Sequence, residues 1–389
     1  MATKTLQDIS LITLTSLILS LAIWLPHFFG INFFGLNFSN GFATVVRNYD
    51  GLEYVVIAKS LYRPEAIQSI PFTLSPSYYA SHFPGYSLLI LIFTPFLGFL
   101  KSMLFVSLLS TILAAITFYF LIRDFKLTDH PLYLSLLFLI LPARWLIVHS
   151  VGSAEPTFIL FTLLAIYYFL KYETTKKYYY LLIAALAGLD AQVTRPPGIL
   201  LFVAIVLYVN YKSFLIMKTH GLKEGIKNRL RYLPLFVIPL SLLSVFYLYG
   251  QNLGDFWAYF HSGDNIHLNF PPYQVFNKSQ FWVGEIWLED IIYVFILGFL
   301  AGLMLWKEKL YPMAFYVFAY LIATTLVAHR DISRYVLPIF PFVLIAFQKV
   351  LVTKEFKIVM IIVALAIYLY AQNFILNNTA PIPNLEVYN

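Results

Sequence analysis

The chain has 389 residues, of which 60% are hydrophobic and only 12% are charged. Soluble domains carry about 25% charged residues, so this composition excludes a soluble enzyme. The chain has no cysteine, which excludes disulfide bonds and thiolate chemistry. Apolar runs recur from end to end at about the 20-residue length that crosses a bilayer as a helix. The sequence therefore predicts an all-α, polytopic integral membrane protein.

About eleven apolar runs predict transmembrane helices in chain order. Lys4 precedes the first run and no small-residue cleavage site follows it, so we interpret this run as a retained helix rather than a signal peptide. We expect a single transmembrane domain over residues 1–389. Its predicted helices cover residues 11–29, 103–122, 131–148, 157–170, 178–191, 198–209, 233–249, 291–306, 311–327, 336–347 and 358–376.

Two long polar loops interrupt these helices. The first covers about residues 30–102 and includes an apolar run at 87–100 that is short for a span and contains Pro95. We therefore expect re-entrant or interfacial helices in this loop. The second covers about residues 251–289 and is rich in aromatic, Asn and His residues. Aromatic faces stack on sugar rings, so this loop is a candidate for shaping an acceptor site, the alternative being an interfacial aromatic belt.

The charges are distributed unevenly along the chain. If the run at 87–100 does not cross, most of the 26 Lys and Arg residues fall on the side of the N-terminus, which the positive-inside rule makes cytoplasmic. The acidic residues gather on the opposite side. The net charge of +7 therefore indicates topology and contact with anionic lipids, above all at the basic amphipathic segment 210–232, and not a nucleic-acid partner. We expect a plasma-membrane or endoplasmic-reticulum protein.

This topology places a set of polar side chains at the extracytoplasmic face. Arg195 and Arg334 lie in short outer turns, where charges at membrane depth usually face a cavity or a partner. The planar fork of arginine bonds two phosphate oxygens, so the pattern predicts a site for an anionic headgroup with a carboxylate base nearby. The candidate residues are Asp50, His82, Arg144, Glu155, Arg195, His329, Arg334 and Tyr335.

Asp50 lies in the segment around which this site is expected to form. An Asp-Gly pair favours a tight turn, because glycine tolerates positive φ and aspartate can bond its own backbone. The following residues, 52–62, can form an amphipathic helix. A carboxylate so placed, partly shielded from water, suits a general base. The alternative is an aspartate that only makes the turn.

Five short motifs resemble the GT-C superfamily of polytopic glycosyltransferases, which take sugars from polyprenyl- or dolichyl-phosphate carriers. The first, YDGLEY, looks most like the second-mannose transferase family of glycosylphosphatidylinositol assembly. The residue before Asp50 is Tyr49, where that family more often has Trp. The motifs are YDGLEY at 49–54, HFPGYSLL at 82–89, SAEPTF at 153–158, TRPPG at 194–198 and RYVLPIFP at 334–341.

The resemblance implies an extracytoplasmic transferase that moves a hexose, with mannose as the first expectation. Asp50 would deprotonate an acceptor hydroxyl, and attack on the anomeric carbon would invert configuration in one displacement. Arg195 and Arg334 would stabilise the departing lipid phosphate, the alternative being structural pairs with Asp190 and Asp331. The donor would be a polyprenyl-phosphate sugar, and the acceptor a glycan, a lipid or a protein.

The remaining candidates have weaker signals. Glu155 could orient Asp50 or hold a sugar hydroxyl or a metal, but an acid at a helix start needs no function. Arg144 could reach the phosphate by snorkelling, or pair with Glu155 structurally. His82 and His329 are candidates for substrate contacts, although a lone histidine near a membrane surface is more often structural. Tyr335 is a candidate because it follows Arg334 in the RYVLPIFP motif.

No cofactor is predicted, and a divalent ion is left open. Residues His261, Asp264 and His267 have a spacing that would bind a metal on a helix, but Gly263 and Asn265 favour a turn. A second functional hypothesis is a transporter or flippase for an anionic lipid or lipid-linked sugar. Transporters typically contain internal repeats and polar residues near the midplane, and neither is evident here. A third is a membrane scaffold that kept the fold and lost activity.

Overall fold

The computed structural model describes residues 2–262, 268–284, 288–382 and 384–388. Regular structure in these ranges is helical, and β pairing within them is limited to isolated bridges, one of which joins Asn48 to Thr379. The α-helices are α1 Ala2–Phe29, α2 Ala43–Val46, α3 Gly51–Ser60, α4 Pro64–Gln68, α5 Gly85–Leu97, α6 Phe99–Asp124, α7 Pro131–Phe138, α8 Ala143–Val148, α9 Glu155–Thr175, α10 Tyr178–Thr194, α11 Ile199–His220, α12 Leu222–Leu230, α13 Val237–Asn252, α14 Ala258–His261, α15 Leu288–Lys307, α16 Tyr311–Thr325, α17 Ile332–Tyr335, α18 Phe340–Leu351 and α19 Lys354–Asn377.

The predicted all-α membrane fold is confirmed. Over the described ranges, 7 helical segments are long and apolar enough to cross a membrane. They are Thr3–Phe29, Phe99–Asp124, Pro196–His220, Leu233–Asn252, Leu288–Lys307, Ile332–Leu351 and Lys354–Asn377. Helices α5 and α16 are apolar but shorter. The chain is therefore an integral membrane protein, whereas the predicted number of about eleven spans is not confirmed.

Several predicted helix boundaries were wrong, and two of them have a clear physical reason. The helix expected at 131–148 breaks between α7 and α8, because Pro142 has no N–H to donate and disfavours a helical conformation at the residue before it. The helix expected to end at residue 209 continues as α11 to His220, where Gly221 takes a φ of +87°. The first part of the basic segment 210–232 therefore belongs to the end of α11. Long lysine side chains there can snorkel towards water.

The chain divides into two compact units, and the first contains the described residues within 1–160, 245–265 and 348–389. In this unit α1 packs against α6, α7 and α19, and α3 packs against α5 and α6. The last 3₁₀ turn, Glu386–Tyr388, also packs against α3. There Lys59 Nζ donates to the carbonyl oxygen of Val387 at 3.1 Å, and Tyr388 is 2% exposed. Helix α3, which follows Asp50, is thus held on several sides.

The second unit contains the described residues within 161–244 and 266–347. Its helix α11 packs against α12 and α16, and α15 packs against α16. A Cβ on Gly298 would lie 2.8 Å from Leu321, and one on Gly302 would lie 2.7 Å from Phe318. Small residues four apart let membrane helices approach closely, which is how α15 packs against α16.

Candidate active site

Asp50 immediately precedes α3 and occupies its N-cap position. Its side chain makes no capping hydrogen bond to the helix and is 34% exposed. Its Oδ2 lies 3.9 Å from Nε2 of His82, a distance at which a protonated imidazole attracts the carboxylate without a direct hydrogen bond. The carboxylate is therefore accessible to water and to a ligand, and one imidazole lies beside it.

The backbone around Asp50 differs from the predicted Asp-Gly turn. The residue with positive φ is Tyr49, at +48°, and Gly51 already belongs to α3. Gly51 is needed for a different reason: a Cβ at this position would lie 2.9 Å from the carbonyl oxygen of Gly152 and 2.9 Å from the sulfur of Met103. The glycine permits close approach of two backbone segments at the residue that follows Asp50.

Asn48 anchors the same loop from the other side. It is fully buried, and its Nδ2 donates to the carbonyl oxygens of Thr44 and Ile375, both at 2.9 Å. The isolated bridge to Thr379 adds backbone pairing, and the N–H of Ala380 donates to the carbonyl oxygen of Arg47 at 2.9 Å. The segment that ends at Asp50 is thus tied to the end of α19 and the residues after it.

His82 is oriented by its neighbours. Its Nδ1 lies 2.7 Å from the hydroxyl oxygen of Ser81, and its ring packs edge-on to Tyr54 at a centroid distance of 5.2 Å. The ring of Tyr78 lies 5.5 Å away on another side. These contacts leave Nε2 as the ring nitrogen nearest to Asp50. The structure therefore places His82 beside Asp50, while its predicted substrate contact stays a prediction.

Glu53 is a second carboxyl group near Asp50, one helical turn further along α3. Burial, together with the charge of Asp50, raises the pKa of Glu53 to about 8. Two buried tyrosines, Tyr79 and Tyr388, interact electrostatically with it. Since two nearby carboxyl groups resist ionising together, Glu53 is largely protonated at neutral pH. The sequence analysis did not identify it as a site residue, although it belongs to the YDGLEY motif.

Glu155 lies at the start of α9 and is fully buried. It accepts a hydrogen bond from the hydroxyl of Ser153. The N–H of Ser153 in turn lies 3.2 Å from both Tyr86 Oη and Ser107 Oγ. Tyr86 Oη donates to the carbonyl oxygen of Met103 at 2.6 Å. This network leads from Glu155 to Met103, whose sulfur would lie 2.9 Å from a Cβ at Gly51. These contacts of Glu155 are structural, and its predicted substrate contact stays a prediction.

Arg144 also lies close to the Asp50 loop. Its guanidinium carbon is 4.2 Å from the centroid of the Phe374 ring, and its Nη1 donates to Tyr49 Oη at 3.3 Å. Tyr49 itself stacks on Phe374, with centroids 5.5 Å apart. Arg144, Tyr49 and Phe374 therefore form a three-membered stack immediately before Asp50. The first unit thus brings Asp50, His82, Arg144 and Glu155 into one connected region.

The other four candidates belong to the second unit. Arg334 is 7% exposed, and its Nη1 lies 3.9 Å from Oδ2 of Asp331, which is the structural pair considered as the alternative. His329 accepts a hydrogen bond at Nδ1 from the N–H of Asp331 at 3.0 Å, and its ring lies 5.2 Å from that of Tyr335. Three of the four candidates therefore cluster.

Arg195, the fourth candidate in this unit, directly follows α10 in an extended conformation. Its carbonyl oxygen accepts from the N–H of Gly198 at 3.0 Å. A Cβ on Gly198 would lie 2.4 Å from Cα of Gln192. The glycine of the TRPPG motif is therefore required by the tight turn that carries Arg195.

The histidine spacing in the second long loop is described only in part. His261 Nδ1 lies 2.6 Å from Asp255 Oδ2 in an exposed pair, while Asp264 and His267 lie outside the described residues. In the part of the chain that the structure describes, no three His, Asp or Glu side chains come together as metal ligands.

Several site residues gave little signal in the sequence. Asn48 and Phe374 act through contacts between distant parts of the chain, and nothing in a single sequence relates them. Tyr86 lies inside the HFPGYSLL motif, so its position was visible, but its hydrogen bonds were not. Gly152 precedes the SAEPTF motif, and the need for a glycine there is visible only in the structure, where it lies against Gly51.

Solved structures with the same fold exist, although their sequences are distant. The chain is similar to ArnT from Cupriavidus metallidurans bound to undecaprenyl phosphate, with a TM-score of 0.59 and 14% identity, covering 92% of this chain and 64% of that chain. It is also similar to the archaeal oligosaccharyltransferase AglB from Archaeoglobus fulgidus in complex with an inhibitory peptide and a dolichol-phosphate. That match has a TM-score of 0.55 and 13% identity, covering 97% of this chain and 56% of that chain.

These likenesses show the fold, and this chain spans less than two thirds of the length of either protein. No family model matches the chain, and no curated protein sequence matches it. The polytopic helical fold predicted from the sequence is thus shared with two membrane proteins that were solved with a polyprenyl-type phosphate.

Proposed function

We propose that this chain is a membrane glycosyltransferase of the GT-C superfamily that transfers a hexose from a polyprenyl- or dolichyl-phosphate donor to an acceptor hydroxyl. The observation that carries the proposal is Asp50: a one-third exposed carboxylate at the start of a helix, with His82 beside it. The shared fold with proteins bound to undecaprenyl phosphate and dolichol-phosphate supports the donor class. Mannose is the first sugar to test, because the YDGLEY motif resembles the second-mannose transferases.

The proposed reaction is a single inverting displacement. Asp50 takes the proton of the acceptor hydroxyl while the acceptor oxygen forms a bond to the anomeric carbon. The bond from that carbon to the phosphate oxygen breaks, and its electron pair leaves with the lipid phosphate. Phosphate is a good leaving group, so the protein chiefly has to stabilise the negative charge that develops on it.

The other candidate residues from the sequence are each given a proposed role. Arg195 and Arg334 are proposed to bind the lipid phosphate, because arginine can bond two phosphate oxygens at once. His82 is proposed to hold Asp50 in its charged form when protonated, and Arg144 to bind near the acceptor. Glu155, His329 and Tyr335 are proposed to contact the sugars. The catalytic face is extracytoplasmic and the N-terminus cytoplasmic, in a plasma or endoplasmic-reticulum membrane, as the positive-inside rule indicates.

The test measures transfer from radiolabelled polyprenyl-phosphate-mannose into membrane acceptors by wild type and Asp50→Asn at matched expression. Loss of a general base costs about 100-fold or more, so near-complete loss is expected. Asp129→Asn is the matched control, because Asp129 is an exposed aspartate between α6 and α7, outside every candidate segment. Transfer that survives Asp50→Asn would remove Asp50 from the mechanism. Transfer by neither protein would direct the search to other lipid-phosphate sugars.

A further inference from the structure

A small groove lies at the end of α19. It is lined by Tyr370, Asn373, Phe374, Asn377 and Asn378 and holds about 230 Å³. Pockets for drug-sized ligands hold about 300 Å³ or more, so this groove suits a single ring-sized group. The first four residues are spaced three and four apart and therefore share one face of the helix. Three amides and two aromatic rings thus line one concave surface.

The groove is attached to the Asp50 loop. The ring of Phe374 forms one wall and stacks on Tyr49, the residue before Asp50, at 5.5 Å. Asn378 Nδ2 lies 3.4 Å from Oδ1 of Asn48, two residues before Asp50. Arg144 covers the Phe374 ring at 4.2 Å and so keeps it in place. The wall of the groove and the proposed base are therefore fixed by the same contacts.

The chemistry of the lining matches a sugar better than a phosphate. None of the five lining residues carries a charge, whereas phosphate sites in proteins rely on Arg, Lys or backbone N–H groups. Asn377 Nδ2 donates to Asn373 at its carbonyl oxygen and its Oδ1, at 2.7 and 3.0 Å. The polar atoms of this pair that remain are Oδ1 of Asn377, an acceptor, and Nδ2 of Asn373, a donor. Adjacent sugar hydroxyls need such a pair, and aromatic rings stack on the apolar face of a sugar.

We propose that this groove binds a sugar ring of the acceptor glycan and thereby presents its hydroxyl to Asp50. The inference rests on the proposed function, which it extends by making the acceptor a carbohydrate rather than a protein or a simple lipid. Tyr370, which is 42% exposed, is assigned as the stacking platform, and Asn373 and Asn377 as the groups that select the ring.

The first experiment measures binding without turnover. Full-length protein in phosphatidylcholine nanodiscs is titrated with the methyl glycosides of mannose, glucose, galactose and N-acetylglucosamine, followed by saturation-transfer NMR. Wild type is expected to bind one of them, and the double variant Asn373→Ala/Asn377→Ala to bind it about tenfold more weakly, as for two lost hydrogen bonds of ordinary strength. Ile361→Ala/Ile362→Ala is the control, on the same helix at residues 78% and 71% exposed.

The second experiment separates this inference from the proposed function. In the transfer reaction, the asparagine variant is expected to raise KM for the acceptor and leave KM for the lipid-linked donor unchanged. Equal kinetics for the variant and wild type would overturn the groove while leaving the transferase standing. Sugar binding by wild type without any transfer would support the groove and count against the transferase. Failure of every glycoside to bind, or displacement of a bound one by inorganic phosphate, would overturn the sugar assignment.

Discussion

Gly51 and Gly152 face each other so closely that a Cβ on Gly51 would lie 2.9 Å from the carbonyl oxygen of Gly152. Gly51 immediately follows Asp50, and Gly152 immediately precedes Ser153, the partner of Glu155. The two segments that supply carboxylates to the candidate site are therefore held in contact through their backbones. A side chain at Gly51 would have to separate them.

This contact predicts a strong effect of a single methyl group. We expect Gly51→Ala to lower sugar transfer by up to about 100-fold, because a displacement of about 1 Å at a reacting group can cost that much. Transfer rates at matched expression would measure it. Gly250→Ala is the control, since a Cβ there would make only ordinary contacts at 3.7 Å and beyond. Equal activity of Gly51→Ala and wild type would show that the position of Asp50 does not depend on this contact.

The buried hydroxyl of Tyr86 predicts a loss of stability. Tyr86→Phe removes the hydroxyl that donates to the Met103 carbonyl oxygen at 2.6 Å and one of the partners of Ser107, at 2.7 Å, in a buried region. Leaving a buried group without its hydrogen bond costs about 1 to 3 kcal/mol, so a lower melting temperature is expected. Tyr247→Phe, at a residue 63% exposed, should change nothing. An unchanged melting temperature for Tyr86→Phe would mean that the network contributes little to the fold.

Glu53 predicts a pH dependence of stability. Its pKa is raised from 4.5 to about 8 in the folded state, so the folded chain holds a proton that the unfolded chain loses first. Its stabilising contribution is complete below about pH 4.5 and is lost as pH rises through about 8, at up to about 1.4 kcal/mol per pH unit. We expect Glu53→Gln to be more stable than wild type above pH 8, as thermal unfolding at several pH values would show.

The comparison for that experiment is Glu65→Gln, at an exposed residue of the same loop. Its unfolding curve should follow wild type at every pH. Stability of Glu53→Gln that runs parallel to wild type across the whole range would contradict the assigned proton on Glu53. It would also mean that both carboxyl groups near α3 are charged at neutral pH.

The stack of Arg144, Phe374 and Tyr49 predicts that lysine cannot replace arginine. Arg144→Lys keeps the charge but loses the planar group that lies 4.2 Å from the Phe374 ring and bonds Tyr49. We expect about a tenfold fall in transfer with the protein still folded, as a loosened Tyr49 shifts the neighbouring Asp50. Transfer kinetics would measure the loss of activity, and circular dichroism would show whether the protein is folded. Full activity of the lysine variant would reduce the role of Arg144 to its charge.

Whether a feature of the fold or the site could be predicted depends on how far apart in the sequence its interacting residues lie. Composition and apolar runs were sufficient for the membrane fold, and the helix expected at 52–62 is present as α3 from Gly51 to Ser60. The break between α7 and α8 was signalled by Pro142, whose effect the apolar run obscured. The reason for Gly51 was not accessible, because it lies in a contact with Gly152, about a hundred positions away. Local chemistry was readable from sequence, whereas steric fit between distant segments was not.

The hydrogen bond from Asn48 to Ile375 joins residues separated by 327 positions. A chain is synthesised and inserted from its N-terminus, so the loop before Asp50 exists long before the helix that holds it. Until α19 is in the membrane, Asn48 lacks this partner and Tyr49 lacks the ring of Phe374. The proposed transferase therefore acquires these contacts to its catalytic loop only after α19 has been inserted. Chains that stall earlier in biogenesis are expected to be inactive rather than partly active.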